Sequence, residues 1–304
     1  MAIGSDQAQG MARSDLVTAG PGEGAVGGGP RLERRRWLRA AGALVLGGAA
    51  LPLLTACGGA AAVAGGEPKA PANAVYPPDA QNPTKRLAAP FAHGPVSIKG
   101  VLDASWKNAQ KYVISSGSTI VEEVGSSFNT SPPMTSSTCY LQWDAKNLYV
   151  AEDRVQTAAG LPVSDLHVGT QMYLGNSLGV FLANAHYSVG NYTVNGHYTV
   201  WGTPRGPKGD KSPHLWMRAG ASGQQSNSHP KWPIAATIKG QGYVMTMAIP
   251  WSALQARPFV AGKGARLRFT LLATAAGPSG KPWGQIMLVG NGDVPSAWGV
   301  LTLQ

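Results

Sequence analysis

Cysteine and charge are scarce in this 304-residue chain, which has two cysteines and only 13% Asp, Glu, Lys and Arg. Soluble proteins usually carry about a quarter charged residues, and helical bundles and coiled coils lean on them most, so those architectures are excluded. Clusters of Lys and Arg are missing too. The formal charge is +10, and +8 after Cys57, but the cations stand singly, as at Lys99, Lys146, Lys208 and Lys239. Without a basic stripe to track phosphates, a nucleic-acid partner is not expected. What is abundant is 43% hydrophobic residues, 40 glycines and 23 prolines. Such a chain is globular and built from many short strands joined by turns.

The first signal lies at the front. Residues 31–57, RLERRRWLRAAGALVLGGAALPLLTAC, run from a basic segment through about 17 apolar residues to small residues and a cysteine. A spanning helix wants about 20 apolar residues, so an export signal fits better than an uncleaved anchor. Arg34, Arg35, Trp37 and Leu38 lie in a stretch that resembles the twin-arginine export motif, with a plain basic segment of the general secretory route as the alternative. Leu54-Thr55-Ala56-Cys57 resembles the bacterial lipobox, which implies a lipid on Cys57 and an exported protein anchored to the outer face of the cytoplasmic membrane. Residues 1–56 are therefore set aside as N-terminal extension and signal, with Met11 a second possible start. With Cys57 lipidated, Cys139 has no disulfide partner and reads as a small buried hydrophobe.

Residues 57–90 are rich in Ala, Gly and Pro and read as a flexible tether, which leaves 91–304 as one domain. Within it, runs at 139–151, 178–183, 192–201, 232–239, 243–249, 266–274 and 298–303 alternate apolar with polar or small residues. Asp144 to Asn147 reads as a hairpin turn. The one helix candidate is Trp251 to Gln255, with Ser252 as cap, and 204–231 reads as a long loop. The expected fold is all-β, an antiparallel β-sandwich of immunoglobulin or jelly-roll type with long loops.

Four segments carry a family resemblance: Ile98-Lys99-Gly100-Val101-Leu102-Asp103-Ala104-Ser105-Trp106, Trp143 to Ala151, Gly242 to Trp251 with its Ile249-Pro250-Trp251 ending, and Trp298 to Leu303. In this order they resemble family 9 carbohydrate-binding modules and the wider, DOMON-related group of sandwich domains. The resemblance implies a sandwich that binds a sugar without chemistry. Asn176 and Gly179 stand where the family often has acids, and Thr246 where a glutamate is usual. Calcium prefers carboxylate oxygens, so these three changes weigh against the family's structural calcium. Asp103, Asp144 and Asp293 read as turn formers.

Sugars present apolar C–H faces that stack on aromatic rings while polar neighbours read the hydroxyls. Trp106, Trp143, Trp251 and Trp298 sit in strand patterns and read as core. Trp283, among the turn formers Gly277 to Gly284, is the leading ligand contact, and the resemblance implies Tyr173 as a second wall, near the other aromatic of the family's clamp. Trp216 and Trp232 flank the long loop and follow as candidates, with Arg218, Asn291 and Asp293 as polar partners.

Catalytic constellations are weak. Gly175-Asn176-Ser177-Leu178-Gly179 matches the nucleophile elbow, but it runs into a strand where the elbow needs a helix. Glu122-Glu123 and Glu152-Asp153 read as solvated pairs. The histidines, at 93, 167, 186, 197, 214 and 229, lack zinc-motif spacing, although His186 and His197 could meet across a hairpin. Some relatives of the sandwich bind haem b, and Met172, Met217, Met245 and His167 are the candidates for that alternative. A structural scaffold lipoprotein is the third reading.

Overall fold

Short alternating runs become thirteen strands among the residues that the computed structural model describes, which are 67–69, 86–115, 134–156, 169–183, 197–206, 209–221, 224–254, 259–276, 282–290 and 295–304. The strands are β1 (Arg86–Ala89), β2 (Gln110–Ile114), β3 (Met134–Trp143), β4 (Asn147–Gln156), β5 (Ser177–Ala183), β6 (His197–Thr203), β7 (His214–Ala221), β8 (Gln224–Ser228), β9 (Ile234–Lys239), β10 (Gly242–Pro250), β11 (Arg266–Ala276), β12 (Pro282–Met287) and β13 (Gly299–Leu303). Helical structure among the described residues is limited to short 3-10 turns at Ala104–Trp106, Gly169–Leu174, Trp251–Ala253 and Pro295–Ala297. The calls on Arg34, Arg35, Trp37, Leu38, Cys57, Glu122, Glu123, His167, His186, Asn291 and Asp293 lie outside the described residues.

Eight strands make one sheet, in the order β1-β13-β11-β5-β6-β7-β8 with β12 also on β11, and five make the other, β2-β3-β4-β10-β9. Among the described strands, only β1 with β13 pairs in parallel; the other strand pairs are antiparallel. Two strands share one edge of β11, β13 against Arg266–Phe269 and β12 against Leu272–Ala276, while β5 takes the other edge. The fold is the expected all-β sandwich.

The side-chain period of two decides what each strand buries. Cys139, Leu141 and Trp143 of β3, Val150 of β4 and Met245 of β10 face inward and meet Val180 of β5, Val200 of β6 and Phe269 of β11. Each large apolar side chain removed from water in this way contributes about 1.5–3 kcal/mol before cavity effects are counted. Cys139 is fully buried, which pushes its thiol far above the ordinary range and makes it the inert hydrophobe expected. The outer side of the five-stranded sheet is covered by the chain at 96–109, with Trp106 packed on Tyr149, Ala151 and Ala248. Gly100 enables this close approach. Its φ is +70°, a Cβ there would lie 2.7 Å from the Ala236 backbone, and its N–H donates to Thr246 Oγ1 at 2.9 Å. Asp103 then accepts from the Ser105 N–H at 2.9 Å and starts the turn that delivers Trp106.

Several expectations are corrected. The tether does not extend to residue 90, because β1 pairs with β13 and Lys69 bridges Lys263 just ahead of β11. There Lys263 donates its N–H to Pro68 O at 2.6 Å and its Nζ meets Glu67 at 3.0 Å. The long loop 204–231 holds β7 and β8. The helix at Trp251 shrinks to one 3-10 turn, whose cap is Pro250 with no side-chain bond from Ser252. Glu152 and Asp153 are not a solvated pair. Alternation sends Asp153 outward to Lys239 at 3.0 Å, and turns Glu152 inward to a fully buried ion pair with Arg154 at 2.6 Å.

Asp144 does form its hairpin turn. Its Oδ1 accepts from the N–H groups of Lys146 and Asn147 at 2.7 Å, and Oδ2 accepts from Tyr149 Oη, also at 2.7 Å. Burial and this carboxylate push the Tyr149 phenol up to about 12.

Candidate functional site

The eight-stranded sheet has a second face, pointing away from the interior, and the aromatics gather there. Alternation sends Gly179, Phe181 and Ala183 of β5, Thr199 and Trp201 of β6, and Trp216 and Arg218 of β7 to this side. Register then lines them up in rows. Met287, Leu272, Gly179, Trp201 and Trp216 are successive cross-strand neighbours, and Thr270, Phe181, Thr199 and Arg218 form the next row. Within the layer, Phe181 meets Trp201 edge to face at 5.6 Å and Trp298 at 5.5 Å. His197 packs on Trp298 at 5.1 Å.

Gly179 has a steric reason. A Cβ there would come within 2.9 Å of the Trp201 indole, so the ring lies where the side chain of residue 179 would stand. Thr246, at the second altered position, is committed to the Gly100 N–H, and Asn176 is buried. Among the described residues no three His, Cys, Asp or Glu side chains come together to hold a metal. These residues do not fit a calcium site.

The 3-10 turn Gly169–Leu174 lies on this face and places Met172 and Tyr173 against it. Tyr173 is half-buried, its ring centroid 6.3 Å from that of Trp201. Arg218, also half-buried, lays its guanidinium 5.2 Å from the Trp216 ring centre. Burial pulls the Arg218 pKa down while nearby Tyr173 acts in the opposite direction, and an arginine so placed keeps its charge. Thr199 Oγ1, beside Arg218 in the same row, is buried with no hydrogen-bond partner. A half-open tyrosine and a stacked, half-buried arginine over an indole floor make an arrangement suited to an apolar ring edged with hydroxyls.

The structure therefore brings Tyr173, Trp216 and Arg218 together. Trp216 is 1% exposed, which corrects its expected role: it is the floor under Arg218 and does not itself offer a ring to a ligand. Trp232 stands apart, ahead of β9, packed against the interior core. Trp283 is not in a loop. It belongs to β12, at the register shift where Gly284 pairs with Ala275 and Pro282 with Ala276, so it is the extra residue of a bulge two positions from Gln285. Gln285 Nε2 in turn donates to Tyr173 O at 3.3 Å.

Trp201 was missed in the sequence, although a signal was present: in His197 to Trp201, Tyr198 and Val200 alternate with Thr199 and Trp201, which sets the tryptophan on the face opposite the core. The methionines considered for haem fill apolar space, Met245 in the interior, Met172 in the outer cluster, and Met217 against the interior core. Ser177 is fully buried, its Oγ donating to Met172 O at 2.8 Å, so it offers no nucleophile. On the opposite side of the molecule two adjoining clefts of about 300 and 380 Å³ share Ala104 and Lys107.

These features define a β-sandwich that carries an aromatic and cationic layer outside its core. No protein-family model matches the chain, and no curated protein matches it significantly. Among solved structures it is similar to a Bacteroides uniformis protein described as a "putative carbohydrate-binding protein", with a TM-score of 0.50 and 11% identity over 72% of this chain and 99% of that one. A family 9 carbohydrate-binding module from Caldicellulosiruptor kristjanssonii in complex with cellotriose aligns at a TM-score of 0.47 and 15% identity, covering 72% of this chain and 94% of that one. The same kind of module in complex with glucose gives 0.44 and 14%, with coverage of 72% and 96%. What is shared is the sandwich fold.

Proposed function

We propose that this chain is a non-catalytic, extracytoplasmic lipoprotein that binds carbohydrate on the outer face of its eight-stranded sheet. The observation that carries the reading is the convergence of Tyr173 and Arg218 over Trp201 and Trp216. Support also comes from the chemistry-bearing groups whose side chains are tied up elsewhere, Ser177 in backbone bonds and Glu152 in its ion pair. Tyr173 is the stacking ring and Arg218 reads hydroxyls. Export and anchoring follow from the signal ending at Cys57.

The test is binding of the full-length protein to a glycan panel that includes cello-oligosaccharides. A stacked ring contributes about 1–1.5 kcal/mol beyond its buried area, so Tyr173→Ala is expected to weaken the best ligand about tenfold. Trp232→Ala, on the other sheet, is expected to leave it unchanged. Retention of no glycan by the wild type would remove the reading. Anchoring is checked separately by partition into detergent, which Cys57→Ala is expected to abolish; a variant that still partitions argues against lipidation there.

A further inference from the structure

We propose that Ser177 and Thr274 are positioning residues for the carbohydrate face, their hydroxyls together clamping the Gly169–Leu174 turn so that Tyr173 is held against Trp201. The inference rests on the reading of Tyr173 given above and assigns the groups that set its place.

Ser177 opens β5 and Thr274 lies directly across from it on β11. Both are essentially fully buried. Valine or alanine would fill the same space in a strand, and a buried hydroxyl without partners is costly. The two hydroxyls carry one proton each, and the acceptors within reach point one way. Met172 O lies 2.8 Å from Ser177 Oγ and Gly175 O 2.7 Å from Thr274 Oγ1, and the hydroxyl oxygens are 2.7 Å apart, so at least one hydroxyl donates to the turn while the other donates to its own carbonyl of the turn or to its neighbour. Met172 and Gly175 flank Tyr173, and the Gly175 N–H returns to Met172 O at 3.2 Å to close the turn. Gln285 holds the Tyr173 carbonyl from β12 at 3.3 Å, so the segment is gripped on both sides.

The clamp is itself fixed from within the sandwich. Arg154, on the other sheet, donates to Ser177 O at 3.0 Å and to Thr274 O. The two residues therefore have their carbonyls bonded to the interior and their hydroxyls bonded to the Tyr173 turn. Hydrogen bonds tie the buried Glu152–Arg154 pair to Ser177 and Thr274, and these two residues to the backbone of the turn that carries Tyr173.

The experiment compares Thr274→Val, which keeps the shape and loses the hydroxyl, with Thr274→Ser, which restores it. Two readouts are taken on the full-length protein: hydrogen exchange of the peptide spanning 169–176, and affinity for the glycan retained best, with cellotriose as the first soluble probe. One net hydrogen bond corresponds to about fivefold to tenfold in an equilibrium. Thr274→Val is expected to speed exchange of that segment and to weaken glycan binding by about this factor, and Thr274→Ser to return both toward wild type. Exchange unaltered in Thr274→Val, glycan affinity unaltered in it, or a serine variant as poor as the valine one, overturns the clamp. If the wild type binds no glycan, the carbohydrate reading fails first and the clamp loses the face it serves. Should Thr274→Val not fold, Ser177→Ala, which removes the bond to Met172 O, carries the same expectations.

Discussion

Arg154→Met is expected to lower stability by about 3–5 kcal/mol, the range for removing one partner of a buried ion pair. Arg154 Nε and Nη2 donate to Glu152 Oε1 at 3.0 and 2.6 Å, and its guanidinium carbon lies 5.1 Å from the Tyr243 ring centre. Burial opposes the charge on Arg154, yet Glu152 holds its pKa above the ordinary value. Ser137 Oγ also donates to Glu152 Oε1, and Tyr243 Oη donates to Oε2 at 2.8 Å. Without the arginine these donors face a carboxylate that has lost its counter-charge in a dry interior. Ser177 O and Thr274 O lose a donor in the same step, and with it one polar tie between the sheets. Denaturant midpoints measure the loss. Glu152→Leu combined with Arg154→Met should recover much of it, because a well-packed apolar pair needs no partner. A single variant within about 1 kcal/mol of wild type would show that the pair is not structural.

Trp143→Ala is expected to cost about 3–5 kcal/mol, as for other buried tryptophans. Trp143 is 0% exposed at the end of β3, where three parts of the chain meet. Its Nε1 donates to Gln304 O at 3.1 Å, and its backbone exchanges bonds with Pro90 O at 3.0 Å and the Ala92 N–H at 2.7 Å. Phe91 packs edge to face on the indole at 5.0 Å. Truncation leaves a cavity and also frees the last residue of the chain from β3. The melting temperature should fall by well over 5 °C, given about 2–4 °C per kcal/mol at this size. Trp143→Phe retains the ring and loses the donor, so it should fall between the two.

Local chemistry was the legible part. The Asp144 turn and the Gly100–Asp103 turn are settled within a few residues by side chains that bond to their own backbone, and these could be read directly. The strands that bury one face were legible for the same reason, because alternation is written into the run itself. β8 was hidden because Gln224–Ser228 is wholly polar and becomes a strand only by pairing along β7. β1 was hidden because four residues, Arg86–Ala89, carry no usable period. The Glu152–Arg154 pair could not be told from a surface pair, since nothing local says which face of β4 turns inward. At the candidate site, Tyr173 was singled out through the family resemblance and Arg218 as a polar group near Trp216, whereas Trp201 required knowing that the sheet's outer side is itself a packed layer. Trp283 was placed in a loop because the glycines and prolines around it also serve a bulged strand.

The docking of Glu67–Lys69 beside Lys263 gives the sandwich a direction. Lys263 lies just ahead of β11, and Thr274, which touches the Tyr173 turn, lies near its end. From Arg266 to Thr274 the strand rises about 26 Å at roughly 3.3 Å per residue. The leading segment is therefore fastened to one pole of the molecule while Tyr173 sits toward the other. A copy held through its leading segment stands with this pole toward its support, the aromatic layer running up its side and the Tyr173 turn at the far end.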